Sequence, residues 1–253
     1  MTSFDTSLIV AGCSFGTGIA GMLLHTRLPS HHVDEASKDV IKLIMSLIAT
    51  MAALVLSLLI ASASNSYDGQ QSEVQSLAAN VILLDRVLAF YGPEAQPARE
   101  ALQEAAADLH EQIWPSDSPR AANLDPRTTR LRSDAFVTRL QSLKPATDAQ
   151  RMLQSQALQL GQGVGQTRLL MFEQHGSSIS WPFLTVLVFW ICMLFLGFGL
   201  FARFNATVLV ALLVGAVSVA GAVFLILELS RPYEGFMRVS DAPLRDALTQ
   251  IGR

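Results

Sequence analysis

Four stretches of this chain contain no Asp, Glu, Lys or Arg: Ser7 to Leu24, Leu43 to Ala63, Ile179 to Ala202 and Phe204 to Leu227. They run for 18, 21, 24 and 24 residues. A bilayer's hydrocarbon core is about 30 Å thick, and a helix rising about 1.5 Å per residue crosses it in about 20 apolar residues. The last three stretches meet that length. The first, with Gly12, Gly16, Gly18 and Gly21, is marginal and needs close packing against its neighbours. Lipid offers no water to open backbone groups, so every span must be a helix. Only Arg203, Phe204 and Asn205 stand at the turn between the third and fourth, which therefore form an antiparallel hairpin.

The 39 charged side chains all lie in the other 166 residues, a density of about 23% and close to the roughly 25% of soluble proteins. The chain therefore reads as an all-α membrane protein with a helical soluble region between its second and third spans. Its expected division is residues 1–63 for the first two spans, 64–178 for the soluble region, 179–229 for the hairpin and 230–253 for a tail. The net charge of −3 and the absence of a basic tract argue against a nucleic-acid partner. The lipid bilayer is the first partner the composition implies.

From Ser64 to Ser178 the chain is too long and too periodic for a loop. Val74, Leu77, Val81, Leu84 and Leu88 recur at three- and four-residue steps, one apolar stripe on a helix. No proline interrupts Val40 to Tyr91, so the second span is expected to continue as one long helix, with Gly69 as its likeliest kink and Gly92-Pro93 as its stop. Further helices are expected over about Glu94 to Ile113, Arg127 to Leu143 and Thr147 to His175, with a proline-bearing loop from Pro115 to Pro126.

An even number of spans puts the N-terminus, the soluble region and the tail on one side. That side carries 14 of the 18 Lys and Arg. The positive-inside rule then favours a cytoplasmic soluble region, although the charges nearest the spans tie. Met1 to Thr6 carries only Asp5, so the first stretch is read as a retained span and not as a signal peptide. Cys13 and Cys192 lie within apolar stretches and are read as buried free thiols acting as small hydrophobes.

Several motifs invite chemistry that their surroundings do not support. Gly16-Thr-Gly18-Ile-Ala-Gly21 matches a dinucleotide fingerprint literally, but Asp34 and Glu35 come too early and no strand–helix alternation follows. Glycines that let membrane helices approach are the simpler reading. Gly161, Gly163 and Gly165 lack the Lys-Ser/Thr of a phosphate loop and mark a bend or a close crossing. His25, His31 and His32 with Asp34 and Glu35 could ligate a metal, yet solvated loop residues account for them better. His110 and His175 have no partner at ligand spacing. No nucleophile, base and orienting acid stand together, so neither an enzyme nor a metal or cofactor site is expected.

The second span is the most informative. Ser46, Thr50, Ala53, Ser57, Ala61 and Ser64 follow three- and four-residue steps, one face of small and weakly polar side chains opposed by Leu, Ile and Val. Small residues favour helix packing in lipid, the simpler reading. The alternative is the wall of an ion path, where hydroxyls meet hydrated ions. Ala211, Gly215, Ser218 and Ala222 form a similar stripe on the fourth span, read as packing.

Two segments then resemble bestrophin channels, and more closely the bacterial bestrophin-like proteins. One is the run from Ser57 through Asn65, Tyr67 and Asp68, followed by Glu73 and by Leu84-Asp85-Arg86. It is similar to the family's serine-leucine-leucine, asparagine, tyrosine and aspartate as the second span leaves the membrane. The other runs from Glu228 through Pro232, Tyr233 and Gly235 and continues from Asp241 through Pro243, Leu244 and Asp246 to Leu248. It resembles the family's glutamate, proline-aromatic-glycine and proline-leucine run after the last span.

The resemblance implies a homo-pentamer of the bacterial inner membrane whose second spans line a central path for small inorganic ions. Ala53, Ser57 and Ala61 would fall where the family has a bulky hydrophobic neck, so the usual gate is in doubt and the permeant ion with it. Gly69, Gln70 and Gln71 replace an arginine and tryptophan expected after Asp68, and the tail lacks the acidic run of calcium-sensing members. No calcium gating is expected. The competing expectation is a non-conducting membrane scaffold whose helical region binds protein partners.

Overall fold

A computed structural model describes residues 2–27, 35–115, 135–174, 181–202, 204–231, 233 and 235–251. Every regular element among them is helical. In chain order they are α1 (Ser3–Arg27), α2 (Glu35–Tyr91), a 3-10 turn (Pro93–Ala95), α3 (Gln96–Ile113), α4 (135–141), α5 (Asp148–Gln174), α6 (Trp181–Phe201), α7 (Ala206–Leu229) and α8 (Ala242–Gln250). Four of these, α1, α2, α6 and α7, are long and apolar enough to cross a membrane. The chain divides into two compact units, Met1–Tyr67 with Ser178–Met237, and Asp68–Ser177 with Arg238–Arg253.

In the first unit, α1 is longer than its charge-free stretch because a capping box extends it. The Thr2 backbone N–H donates to Asp5 Oδ2 at 2.9 Å, and the Asp5 N–H to Thr2 Oγ1 at 3.2 Å. The expected marginal span is thus a helix of 25 residues. Close packing is achieved by part of its glycine set. A Cβ on Gly21 would strike the backbone of Leu196 and Leu200 in α6, and one on Gly199 would strike the backbone of Gly18 and Met22. Gly12 and Gly16 face open space, so the packing role belongs to Gly18 and Gly21 alone. Val10 joins Leu184, Val223 and Leu227 in one buried cluster, while Met22, Ile191, Phe195, Leu212 and Ala216 share another. These pairings make α1 and α6 parallel and α7 antiparallel to both. Asn205 caps α7 by accepting from the Thr207 N–H at 3.3 Å.

Two expectations need correction here. The stripe Ala211, Gly215, Ser218 and Ala222 is not the packed face of α7: Ala211 and Ser218 are exposed, and Leu212, Ala216, Ala220 and Val223 are buried instead. The packed line is set by the bulkier partners across α1 and α6. Cys13 stands exposed on α1 and Cys192 is half-buried, so neither thiol is core filling.

In the second unit the apolar stripe behaves as read: Val74, Leu77, Val81, Leu84 and Leu88 are all buried. Leu84, Leu88 and Tyr91 pack with Ala98 and Leu102 of α3, Phe136 and Leu140 of α4, and Ala157 of α5. Helix α2 runs through Gly69 and ends at Gly92, whose φ of 122° suits glycine before Pro93. Pro97 stands in the first turn of α3, and Trp114 follows its last residue. The Gln154 side chain donates to Leu140 O and Leu143 O, closing the end of α4 onto α5. Gly161 lies over Phe136 and Leu140 with room for a Cβ at ordinary contact distance, and Gly165 faces open space, so neither glycine is required by a close crossing. Most of the proline loop, residues 127–134 of the expected third helix, His31, His32, Asp34 and His175 lie outside the described residues.

Candidate functional site

Helix α2 differs from the other three membrane-length helices in how little of it is covered. Of its most apolar window 6% is buried, against 28 to 39% in the others. What it does bury is one line: Ala52 is buried, and Val55, Leu56 and Leu59 pack on the cluster around Ile191 and Phe195. Met45 rests against Gly197 of α6 on the same line. The small-residue face points the other way, since positions three and four apart share a face and Ser57 lies about half a turn from Ala52. Ser46, Thr50, Ala53, Ser57 and Ala61 are exposed, and Ser64 is half-buried. Among the described residues, the packing partner that the simpler reading requires is therefore not supplied. Thr50 returns its hydroxyl to Ser46 O at 2.9 Å, so that hydroxyl needs no partner from another helix.

Past Ser64 the family-like residues fall on several faces. Asn65 and Asp68 are exposed, Tyr67 and Glu73 half-buried, and Arg86 exposed. The residue that matters next to Arg86 is Asp85, whose partner no sequence spacing reveals. Arg99 of α3 grips it with two bonds, Nε to Oδ1 at 2.8 Å and a terminal amine to Oδ2 at 2.9 Å. The side chains are only 14% and 9% exposed. These bonds to Asp85 hold the Arg99 guanidinium even further into its charged form, against the opposing effect of burial.

The second family-like segment splits between the units. Glu228, at the end of α7, is 2% exposed, and its Oε1 accepts the Phe236 backbone N–H. Gly235, at φ 87°, lies against the same carboxylate, where a Cβ would collide with it. Glu228 and Gly235 are thus brought together by a reversal of the chain, with Tyr233 half-buried between them. Pro232 lies outside the described residues.

Beyond this reversal the tail is helical at α8, which its length had not suggested. Pro243 occupies its first turn and Leu244 is fully buried. The tail is tied to α3: Trp114 Nε1 donates to Val239 O at 3.0 Å, and His110 Nε2 lies 3.3 Å from Asp241 Oδ2. His110, which lacks a partner at ligand spacing, has one 131 residues away. Among the described residues no group of three or more His, Cys, Asp or Glu stands together as a metal site.

A family model described as the Bestrophin-like domain matches residues 12–244. The chain belongs to the Bestrophin-like family. Its fold is also that of solved relatives from Klebsiella pneumoniae. A bestrophin homolog in which one tryptophan is replaced by alanine superposes with a TM-score of 0.70 at 12% identity, covering 98% of this chain and 95% of that one. A form with a leucine replaced by threonine gives 0.69 at 11% identity over 96% and 97%. A form phased on zinc gives 0.67 at 11% over 96% and 98%. No curated protein matches the sequence. The all-α architecture with four membrane-length helices is thus the bestrophin fold, and the Bestrophin-like match covers the first resembling segment and the second as far as Leu244.

Proposed function

We propose that this protein is the subunit of a homo-oligomeric, pentameric ion channel of the bacterial inner membrane, in which α2 lines a central path and the helical region is cytoplasmic. One observation carries the reading: α2 buries a single line against α6 and leaves its small, weakly polar face open along the whole charge-free stretch. A helix facing only lipid gains nothing from Ser46, Thr50 and Ser57, whereas hydroxyls and small side chains around an axis leave room for hydrated ions. Membership of the Bestrophin-like family supports the same use of the second span.

Ala53, Ser57 and Ala61 would form the narrow level of the path, and their size implies a wider constriction than a ring of bulky aliphatic side chains. Planar-bilayer recording of the purified oligomer tests this. Conductance is expected in simple salts, with Ser57→Phe lowering it at least roughly tenfold, because an aromatic ring from each subunit would meet near the axis. An intact oligomer silent in every salt would sink the channel reading and leave the scaffold. A scaffold also predicts that Ser57→Phe changes assembly or partner binding and never ion flux.

A further inference from the structure

We propose that Cys13 of α1 and Cys192 of α6 form a two-sulfur site for a soft monovalent metal ion of the cuprous and silver class. The two helices run parallel, and their backbones touch where Gly21 meets Gly199. Counting back seven residues, about two turns, from each glycine gives Ser14 on α1 and Cys192 on α6, so these two also face each other across the seam. The hydroxyls of Ser14 and Thr17 both lie beside the Cys192 sulfur. Cys13 stands one residue before Ser14 and one turn before Thr17, on the face that Thr17 shares, and its sulfur acts electrostatically on that of Cys192. Cys192 is thus flanked on one side of the seam by Cys13, Ser14 and Thr17.

The Ser14 hydroxyl marks this place as a site. Ser14 is 0% exposed, and its hydroxyl makes no hydrogen bond. A buried helical hydroxyl ordinarily finds a partner, if only a carbonyl one turn back. Ser7 and Thr17 do so, at 2.8 Å and 2.9 Å. Ser14 instead keeps its oxygen beside the Cys192 sulfur, placed to donate to a thiolate. Access is open from one side, because Cys13 is exposed and its neighbours Gly12 and Gly16 have no side chain to cover its sulfur.

The donor set selects the ion. Thiolate is a soft ligand and favours a soft d10 ion such as Cu(I) or Ag(I), which two sulfurs in line satisfy. Zinc would need four ligands, and among the described residues no third His, Cys, Asp or Glu joins this pair. On binding, one thiol releases its proton and the other keeps it, so a monovalent ion, a thiolate and a thiol make a neutral centre. Neutrality matters because both cysteines lie in charge-free spans, where an uncompensated charge is costly. The site involves α1 and α6 alone and stands whether or not the oligomer conducts.

Silver is the probe, because it binds thiolates without changing its oxidation state. Reduced, purified oligomer is loaded with Ag(I), passed over a thioether resin that strips weakly held ion, and weighed by native mass spectrometry. The unaltered chain should keep about one silver per subunit. Cys13→Ser and Cys192→Ser should each lower retention roughly tenfold or more at unchanged oligomer mass, because one sulfur alone loses the ion to the resin. Ser14→Ala should lower it several-fold by removing the donor to the thiolate. Mild iodine treatment of the unaltered chain checks the reach of the sulfurs without any substitution. The pair should close to a disulfide within one chain, two thiols losing two protons and two electrons as iodine becomes iodide. Equal silver on the unaltered chain and either serine variant overturns the proposal, as an adventitious one-thiol site. So does an unaltered chain that keeps no silver, or one with both thiols still free after iodine.

Discussion

At the scale of single residues, the strongest commitment in the second unit is the fork of Arg99 on Asp85. Both side chains are mostly removed from water, so the loss of Arg99 leaves a buried carboxylate without its fork. Arg99→Ala leaves the Asp85 carboxylate buried and unpaired, which should cost about 3 kcal/mol and lower the thermal midpoint by roughly 6–12 °C. Arg99→Lys restores the charge without the fork and should recover only part of that loss. Thermal unfolding of the solubilised protein followed by circular dichroism decides it, and an unchanged midpoint in Arg99→Ala would show the pair to be incidental. Nothing in the sequence marks Arg99: it stands 14 residues from Asp85, beyond the reach of any helical spacing rule. Asp85 by contrast lies inside the resembling segment, so half of this pair was legible and half was not.

At the scale of elements, what could be read was local. The four spans follow from charge-free length, and the stripe Val74 to Leu88 from a three-and-four spacing that a helix turns into one buried face. What could not be read depends on distant partners. The tail forms α8 only because Leu244, Ala247 and Ile251 have buried places waiting, with Ile251 packed beside Val81 and Ala106. Trp114 and Val239 meet across 125 residues. The small-residue stripes show the limit most clearly. The same pattern lies beside the packed line on α7 and wholly off it on α2, because composition cannot say which neighbour a face will find. Gly69 belongs at this scale too. It sits inside α2 with open space where a Cβ would be, so Gly69→Ala should stabilise the helix by about 0.5–1 kcal/mol through chain entropy alone. The measurement is chemical denaturation in detergent. A gain in stability with unchanged conductance means the glycine is only tolerated, whereas a gain with reduced conductance means that bending at Gly69 is used.

At the scale of the whole molecule, α2 presents two open faces, and a single subunit explains neither. Beside the small-residue face runs a second line, Leu43, Leu47, Leu54 and Leu58, each more than 60% exposed. In lipid a leucine gains nothing by meeting another helix unless the packing is close, because acyl chains are as apolar as leucine itself. A leucine line that faces lipid can therefore be truncated at little cost, while one that packs against a neighbouring subunit cannot. If the small face borders the ion path, the adjacent leucine line is the surface that turns toward the next α2 around the axis. The combined change Leu47→Ala, Leu54→Ala and Leu58→Ala should then shift the assembly toward the 27.4 kDa subunit and remove conductance with it. Ser57→Phe, about a third of a turn away from Leu58, should do the opposite, leaving the oligomer mass unchanged while conductance falls. Native mass spectrometry paired with bilayer recording separates the two. Should the triple alanine variant remain fully assembled and conducting, the leucine line faces lipid and α2 meets its neighbours by some other surface. Should Ser57→Phe break the oligomer, the small face is itself the subunit contact and the path lies elsewhere.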